Sequence, residues 1–263
     1  MIEVPRAEGT SSRIWLFRAE PQAPVLLVQP AMGMQARYYL PLAEALQAAG
    51  LTVALAELRG HELEGGRLPG RDYDFGYAEL VEDLAAAVDV VQEHVPGAPV
   101  HLLGHSLGGQ VALAYAASRP GRVAGLLVVG TCTVHWRSWT PLFLPVSQSF
   151  PVVARLLGYF PGRYVRFAGR EARTMMRDWA RFARTGRLPV ADAALPTLDL
   201  PVLAVSIEGD RLSPARAVDA LMAKLPRAQV TREHLAVEGI DHNRWARRPE
   251  TVVPLFSSWL AAR

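Results

Sequence analysis

Short apolar runs recur along the chain, and segments with a helical pattern separate them. The runs are bounded by Pro or Gly and hold few polar positions, as expected of strands that helices cover on both faces. These runs are PVLLVQ (24–29), TVALAEL (52–58), PVHLLG (99–104), VAGLLVVG (123–130) and PVLAVSIE (201–208). QVTREHLAVE (229–238) alternates more regularly and predicts an edge strand, and residues 2–17 predict one or two further edge strands.

Helical patterns fill the intervals between these runs. Residues 77–95 place apolar side chains on one face, as do residues 249–262. Residues 213–225 open with Ser213 and Pro214, which predict an N-cap and a first helical turn. Strands that alternate with helices predict an α/β fold, with a mostly parallel sheet covered by helices on both faces.

One interval between two predicted core strands is much longer than a crossover needs. It covers residues 131–200 and contains EARTMMRDWARFART (171–185), which reads as a helix. We therefore predict a core made of residues 1–133 and 196–263, with an inserted helical cap at 134–195.

Composition narrows the classes of function. Half of the 263 residues are hydrophobic, the net charge is only +3, and no block of five basic residues appears, so we expect no nucleic-acid partner. The single cysteine, Cys132, excludes an internal disulfide and a multi-cysteine metal site. No signal-peptide pattern and no apolar run of ~18 residues is present, which predicts a cytoplasmic protein without a transmembrane segment. With no metal cluster and no phosphate-binding glycine loop, we expect no cofactor.

A serine lies between glycines at the point where a buried strand turns into a helix. The stretch Gly104-His105-Ser106-Leu107-Gly108 fits the G-x-S-x-G nucleophile elbow. Larger side chains at the glycines would collide with the neighbouring strand and helix, while the central residue is strained and projects outward. The following helix offers N–H groups and a positive dipole end to an oxyanion. The pattern predicts that Ser106 is a nucleophile.

With these features the chain resembles the α/β-hydrolase superfamily over nearly its whole length. The resemblance implies a chain order of nucleophile, acid and histidine. In VLAVSIEGDRLSP, Asp210 follows a strand, and in VEGIDHNRW, His242 follows the last strand. A serine hydroxyl needs an imidazole to accept its proton, and a carboxylate to fix the imidazole tautomer. We therefore expect a Ser106–His242–Asp210 triad.

The resemblance also implies two backbone donors for an oxyanion hole. Leu107 directly follows the nucleophile and is the first candidate. In VQPAMGMQARYYLPLAEAL, alignment of YYLPLAEAL as the next helix places Met32 at the second donor position, with Gly33 or Met34 as alternatives. The PAMGMQARYY variant of this loop is similar to bacterial hydrolases of the serine aminopeptidase and lysophospholipase types.

Other titratable residues near these motifs have structural interpretations. Asp241 and Glu208 compete with Asp210, but Asp241 adjoins His242 in sequence and would not face its ring easily. His105 is expected to point away from the serine. The remaining histidines are predicted to be surface, turn, strand or packing residues: His61, His94, His101, His135 and His234.

Arg59 is predicted to be a structural loop tie, and Cys132 a small packed residue. The cap is rich in aromatic residues, most of which we expect to form its own small core rather than a substrate pocket. Five arginines at helical spacing are expected to form one solvated face: Arg170, Arg173, Arg177, Arg181 and Arg184. If that stripe faced the pocket instead, it would favour anionic substrates.

Together these features predict a serine hydrolase that cleaves a carboxylic ester, or else a thioester or amide, of a small-molecule acyl substrate through an acyl-enzyme. An acyltransferase would use the same triad, and a non-catalytic binding protein could keep the same fold. Epoxide hydrolases and dehalogenases are disfavoured, because the resemblance implies aspartate at their elbow and this chain has Ser106.

Overall fold

The computed structural model describes residues 1–263. The strands are β1 (Ile2–Pro5), β2 (Ser11–Phe17), β3 (Val25–Gln29), β4 (Thr52–Ala56), β5 (Val100–His105), β6 (Gly125–Val129), β7 (Phe160–Pro161), β8 (Arg170–Glu171), β9 (Pro201–Ile207) and β10 (Gln229–Leu235). The helices are α1 (Leu40–Ala48), α2 (Tyr77–His94), α3 (Leu107–Ser118), α4 (Phe143–Leu157), α5 (Arg173–Thr185), α6 (Ala215–Met222) and α7 (Val253–Ala261).

Eight strands form one sheet in the order β1-β2-β4-β3-β5-β6-β9-β10. All pairs from β4 to β10 are parallel, while β1 pairs with β2, and β2 with β4, in antiparallel register. The predicted α/β class with a mostly parallel sheet is confirmed, as is the edge position of β10. Residues 2–17 do form two strands, but only β1 lies at the edge.

Hydrophobic packing on both faces explains why the central strands show no alternation of apolar and polar residues. Along β3, Leu27 faces one apolar cluster with α2, α3 and α6, and Leu26 faces the other with α1 and α7. Because successive strand residues point to opposite faces, both sets must be apolar when helices cover both. Helix α3 lies deepest, with ten of its twelve residues buried.

Helix α6 begins later than the sequence pattern predicts. Its first residue is Ala215, and Ser213 makes no side-chain cap, since its Oγ atom is buried without a hydrogen-bond partner. The Ser213 N–H instead donates to Asp210 at 2.9 Å. The expectation that Ser213 caps this helix is therefore wrong, and the turn before α6 is organised by the aspartate.

The long interval between β6 and β9 contains α4, α5 and the two-strand ribbon of β7 and β8. Aromatic stacking joins the two helices, with the rings of Phe150 on α4 and Trp179 on α5 stacked at 5.5 Å. None of the helices in the structure has both the length and the apolar character needed to cross a membrane.

Candidate active site

Ser106 lies in the turn between β5 and α3, with φ 52° and ψ −113°. A non-glycine residue at positive φ is strained by ~1–3 kcal/mol, so the surrounding structure must hold it there. A Cβ atom on Gly104 would lie 2.3 Å from the Cα of Gly109, and one on Gly108 would lie 2.1 Å from the carbonyl oxygen of Gln29. Only glycine fits at these positions, which explains the G-x-S-x-G spacing physically.

Asp210 and His242 form a buried pair after β9 and β10. The Nδ1 atom of His242 lies 2.7 Å from Oδ2 of Asp210. The other carboxylate oxygen accepts the N–H groups of Leu212 at 2.8 Å and Ser213 at 2.9 Å. These bonds fix the carboxylate, which favours the proton on Nδ1 and leaves Nε2 of the ring as a proton acceptor.

Ser106 and His242 line the same cavity. Gly130 packs against the bond between His242 and Asp210. A Cβ atom at this position would lie 3.1 Å from Nδ1 of His242 and 3.6 Å from Oδ2 of Asp210. No hydrogen bond joins the Ser106 hydroxyl to His242 in this structure. The predicted triad thus has its histidine–aspartate bond formed, while serine and histidine share the cavity; catalytic bonds of free enzymes are often looser than in the complex.

The two predicted oxyanion donors line this cavity as well. Leu107 begins α3, Met32 follows β3, and neither N–H donates to an acceptor within the protein. The Met34 N–H is engaged by the carbonyl of Ala31 at 3.1 Å. Of the two alternatives to Met32, only the Gly33 N–H therefore remains free. The role of Met32 stays a prediction.

A buried hydrogen-bonded chain behind the site escaped the sequence analysis. The N–H of Ala31 donates to the Tyr39 hydroxyl at 3.0 Å, and that hydroxyl lies 2.7 Å from Nδ1 of His105. The Nε2 atom of His105 lies 2.8 Å from the carbonyl oxygen of His242. We name these four residues the Tyr39–His105 chain. Because a carbonyl only accepts, Nε2 carries the proton, and Nδ1 accepts from Tyr39.

His105 is fully buried, and burial holds its pKa well below the usual range of histidine, with further repulsion from His242. It is therefore neutral at physiological pH, in agreement with its hydrogen bonds. Its side chain is absent from the lining of the cavity that contains Ser106. No local pattern in the sequence pairs it with Tyr39, since the two residues come from different elements, 66 positions apart.

The two carboxylates that compete with Asp210 in the sequence make no hydrogen bond to the His242 ring, and the cysteine is buried. The carboxylate of Asp241 accepts the N–H groups of Asn243 and Arg244 at 2.9 and 2.8 Å, so it caps the turn after His242. Glu208 is exposed and makes no side-chain hydrogen bond. Cys132 lies buried at the cavity wall, where burial raises the pKa of its thiol to about 12.

The cavity that contains Ser106 measures about 650 Å³. Its aromatic wall comes from the interval between β6 and β9: Trp139, Phe143, Phe150, Phe167 and Trp179. The same rings stack on one another, for example Trp139 on Phe143 at 4.7 Å. These five residues therefore form a small core and a pocket wall at once, whereas the sequence analysis treated the two as alternatives. Tyr164, by contrast, is 89% exposed.

The arginine stripe is only partly the predicted helix face. Arg177, Arg181 and Arg184 are exposed on α5, as expected. Arg170 lies outside the helix on β8, with its Nε donating to the carbonyl of Pro69 at 2.7 Å. Arg59 is a loop tie as predicted, since its guanidinium binds the carboxylates of Glu8 and Asp83.

Comparison with known proteins agrees with this architecture. The sheet order, the serine elbow and the histidine after the last strand define the class of α/β-hydrolases. A solved monoacylglycerol lipase of Paleococcus ferrophilus has the same fold, with a TM-score of 0.66 over 94% of this chain and 98% of that one, at 17% identity.

A family model matches a shorter part of the chain than the solved structure does, and this match assigns the family. Residues 19–184 match the model of the family described as serine aminopeptidase, S33, and the chain belongs to this family. The matched range includes Met32 and Ser106 and ends before Asp210 and His242. The expected resemblance is thereby confirmed.

Two curated relatives are lipases. Human monoglyceride lipase is 36% identical over 118 residues, which cover 44% of this chain and 37% of the relative. A monoacylglycerol lipase of Mycolicibacterium smegmatis is 30% identical over 136 residues, which cover 51% of this chain and 47% of the relative. The aligned part thus spans less than half the length of either relative.

Proposed function

We propose that the protein hydrolyses carboxylic esters through an acyl-enzyme on Ser106. One observation carries this proposal: a serine held at a strained elbow opens into the same cavity as a histidine whose Nδ1 lies 2.7 Å from a buried carboxylate. A binding protein has no use for a strained serine beside an oriented base. Membership of the serine aminopeptidase family supports the same chemistry.

In the first half-reaction, Oγ of Ser106 attacks the ester carbonyl carbon while Nε2 of His242 takes its proton. The carbonyl oxygen becomes an oxyanion, which the N–H groups of Met32 and Leu107 stabilise. Collapse of this intermediate breaks the ester bond. The imidazolium returns its proton to the departing alcohol, and Asp210 stabilises the charged ring throughout.

In the second half-reaction, water replaces the alcohol. Nε2 of His242 takes a proton from the water, and the hydroxide attacks the acyl carbon of the acyl-enzyme. When the second intermediate collapses, the carboxylic acid leaves and Ser106 regains its proton. The two half-reactions need neither a redox step nor a cofactor.

The cavity supports an apolar acyl group as the part of the substrate nearest Ser106. Aromatic side chains of the cap region, such as Phe143 and Trp179, line it together with few charged groups. Such a wall binds a hydrocarbon chain through burial of apolar surface. The names of the two curated relatives make monoacylglycerols the first esters to test.

The test combines covalent labelling with kinetics. A fluorophosphonate should add to wild-type protein at Ser106, and intact mass should show one adduct. Ser106→Ala should lose labelling and about 10⁴-fold or more in kcat on a monoacylglycerol. Ser118→Ala is the matched control, because this serine lies exposed at the far end of the same helix. Equal activity of wild type and Ser106→Ala would overturn the proposal.

A further inference from the structure

A second cavity of about 470 Å³ adjoins the one that contains Ser106. We call it the arginine groove, because Arg37, Arg163, Arg170 and Arg247 all line it. The proposed reaction uses none of these four side chains.

The positive charge of the arginine groove is not neutralised within the protein. None of its four arginines has a carboxylate partner within 4.0 Å. The one acidic residue in the lining, Glu62, is already paired with the buried Arg6 at 2.6 Å. On the surface elsewhere, Arg119 shows the alternative, since its guanidinium pairs with the carboxylate of Glu82 at 2.7 Å.

Two of the four guanidinium groups are held in place before any ligand arrives. Arg170 lies 3.8 Å from the centre of the Tyr159 ring, and its Nε donates to Pro69. Arg247 lies over the ring of Tyr38 at 5.4 Å. Stacked guanidinium groups keep their remaining N–H donors available, which is a suitable arrangement for binding a phosphate or carboxylate.

The arginine groove and the Ser106 cavity share part of their walls. Gly33, Met34 and Arg163 line both of them. Gly33 and Met34 directly follow Met32, the predicted oxyanion donor. The loop after β3 therefore forms part of the wall of both cavities, which brings the arginine groove next to the candidate active site.

We infer that the arginine groove binds a phosphate carried on the alcohol portion of the ester, so that the favoured substrates are acylated phospho-alcohols. This inference rests on the proposed function, which it deepens by naming the substrate class. Several charge-assisted hydrogen bonds to one phosphate are the physical basis of the selectivity.

A pair of esters that differ only in the phosphate tests the inference: 1-octanoylglycerol and 1-octanoylglycerol 3-phosphate. At low salt, kcat/KM of wild-type protein should be at least about tenfold higher for the phosphate ester. In about 1 M salt, where the screening length falls to about 3 Å, the advantage should shrink strongly. Equal kcat/KM values at low salt would overturn the inference.

Arginine variants then test whether the arginine groove causes the preference for the phosphate ester. Arg37→Gln combined with Arg247→Gln should abolish most of the phosphate advantage, and Arg181→Gln, an exposed arginine on α5 outside the groove, should preserve it. The readout is the ratio of the two kcat/KM values, so a partial loss of folded protein cancels. A phosphate advantage that survives in the double variant would contradict the proposed groove.

A binding measurement that needs no catalysis distinguishes failure of this inference from failure of the proposed function. In Ser106→Ala protein, calorimetric titration with glycerol 3-phosphate should give heat that glycerol does not, and the double arginine variant should lose it. If wild-type protein hydrolyses neither ester, the proposed function fails, and this titration alone decides whether the groove binds phosphate. If it hydrolyses the neutral ester without phosphate preference, only the inference fails.

Discussion

At the scale of single residues, Tyr39 shows how a distant side chain supports the candidate active site. Its hydroxyl accepts from Ala31 on the loop that carries Met32 and donates to His105, which in turn holds the carbonyl of His242. Burial also raises the pKa of Tyr39 far above its usual range, so the hydroxyl keeps its proton. The buried Ala31 N–H, the Tyr39 hydroxyl and both ring nitrogens of His105 are thus all hydrogen-bonded.

Tyr39→Phe should lower the free energy of unfolding by about 2–3 kcal/mol, because it leaves the Ala31 N–H and Nδ1 of His105 buried without partners. Urea denaturation at neutral pH measures this. Tyr38→Phe is the matched control: its hydroxyl makes no hydrogen bond in the protein, and the change should stay within about 0.5 kcal/mol. Equal effects of the two substitutions would contradict the assigned hydrogen bonds.

At the scale of elements, an ionic cluster that is buried except at Glu8 joins the N-terminal strands to α2. Arg59, in the loop after β4, binds Asp83 of α2 through Nε at 2.8 Å and binds Glu8 in the turn between β1 and β2. Arg6 adds a bond to Glu62 at 2.6 Å and a contact with Asp83 at 3.2 Å. Burial raises the pKa of Asp83, and the nearby arginines offset part of that rise.

Arg59→Met should destabilise the fold by about 3–5 kcal/mol, since it leaves the carboxylate of Asp83 buried with a weaker partner set. Arg122→Met removes a surface pair with Asp89 on the same helix and should cost at most about 1 kcal/mol. Thermal or urea unfolding of both variants checks the contrast. A similar small cost for both would show that the cluster does not tie α2 to the N-terminal strands.

At the scale of the whole molecule, pH should act on stability through buried histidines. His101 lies in β5 against Trp259 of α7, and burial lowers its pKa to about 4. In the unfolded chain a histidine titrates near 6.5, so between pH 6.5 and 4 the unfolded state binds a proton that the folded state does not. Acidification through this window therefore favours unfolding.

The contribution of His101 to this loss should be about 1–2 kcal/mol between pH 6.5 and pH 5. His101→Phe and His101→Gln carry no titrating group there, so their unfolding free energies should fall less steeply with acid than that of the wild type. Urea titrations at the two pH values give the slopes. If the slopes of both variants match the wild type, His101 is not the group responsible.

Much of this architecture could be predicted from the sequence because its signals are local. Buried parallel strands must be apolar on both faces, and the elbow at Ser106 needs glycines at fixed spacing, so both leave short patterns. The pairing of His242 with Asp210 followed from their places after successive strands once the family resemblance was recognised.

The features that the sequence analysis missed depend on contacts between distant segments. Ser213 looks like a helix cap, yet its N–H donates to Asp210 three residues earlier, and that carboxylate is held in place by His242, 32 residues further along the chain. Arg170 fits the helical stripe of α5 by spacing, yet a hydrogen bond to Pro69 holds it on β8. No periodicity records such partners, since the partner lies many residues away.

The Tyr39–His105 chain also bears on protein engineering. Its buried hydrogen bonds connect the loop after β3 to the loop after β10, although more than 200 residues separate Ala31 from His242. A chimaera that transplants either loop alone would place a foreign backbone against Tyr39 and His105, whose hydrogen bonds fit the native loops. Such grafts should succeed when all four positions travel together.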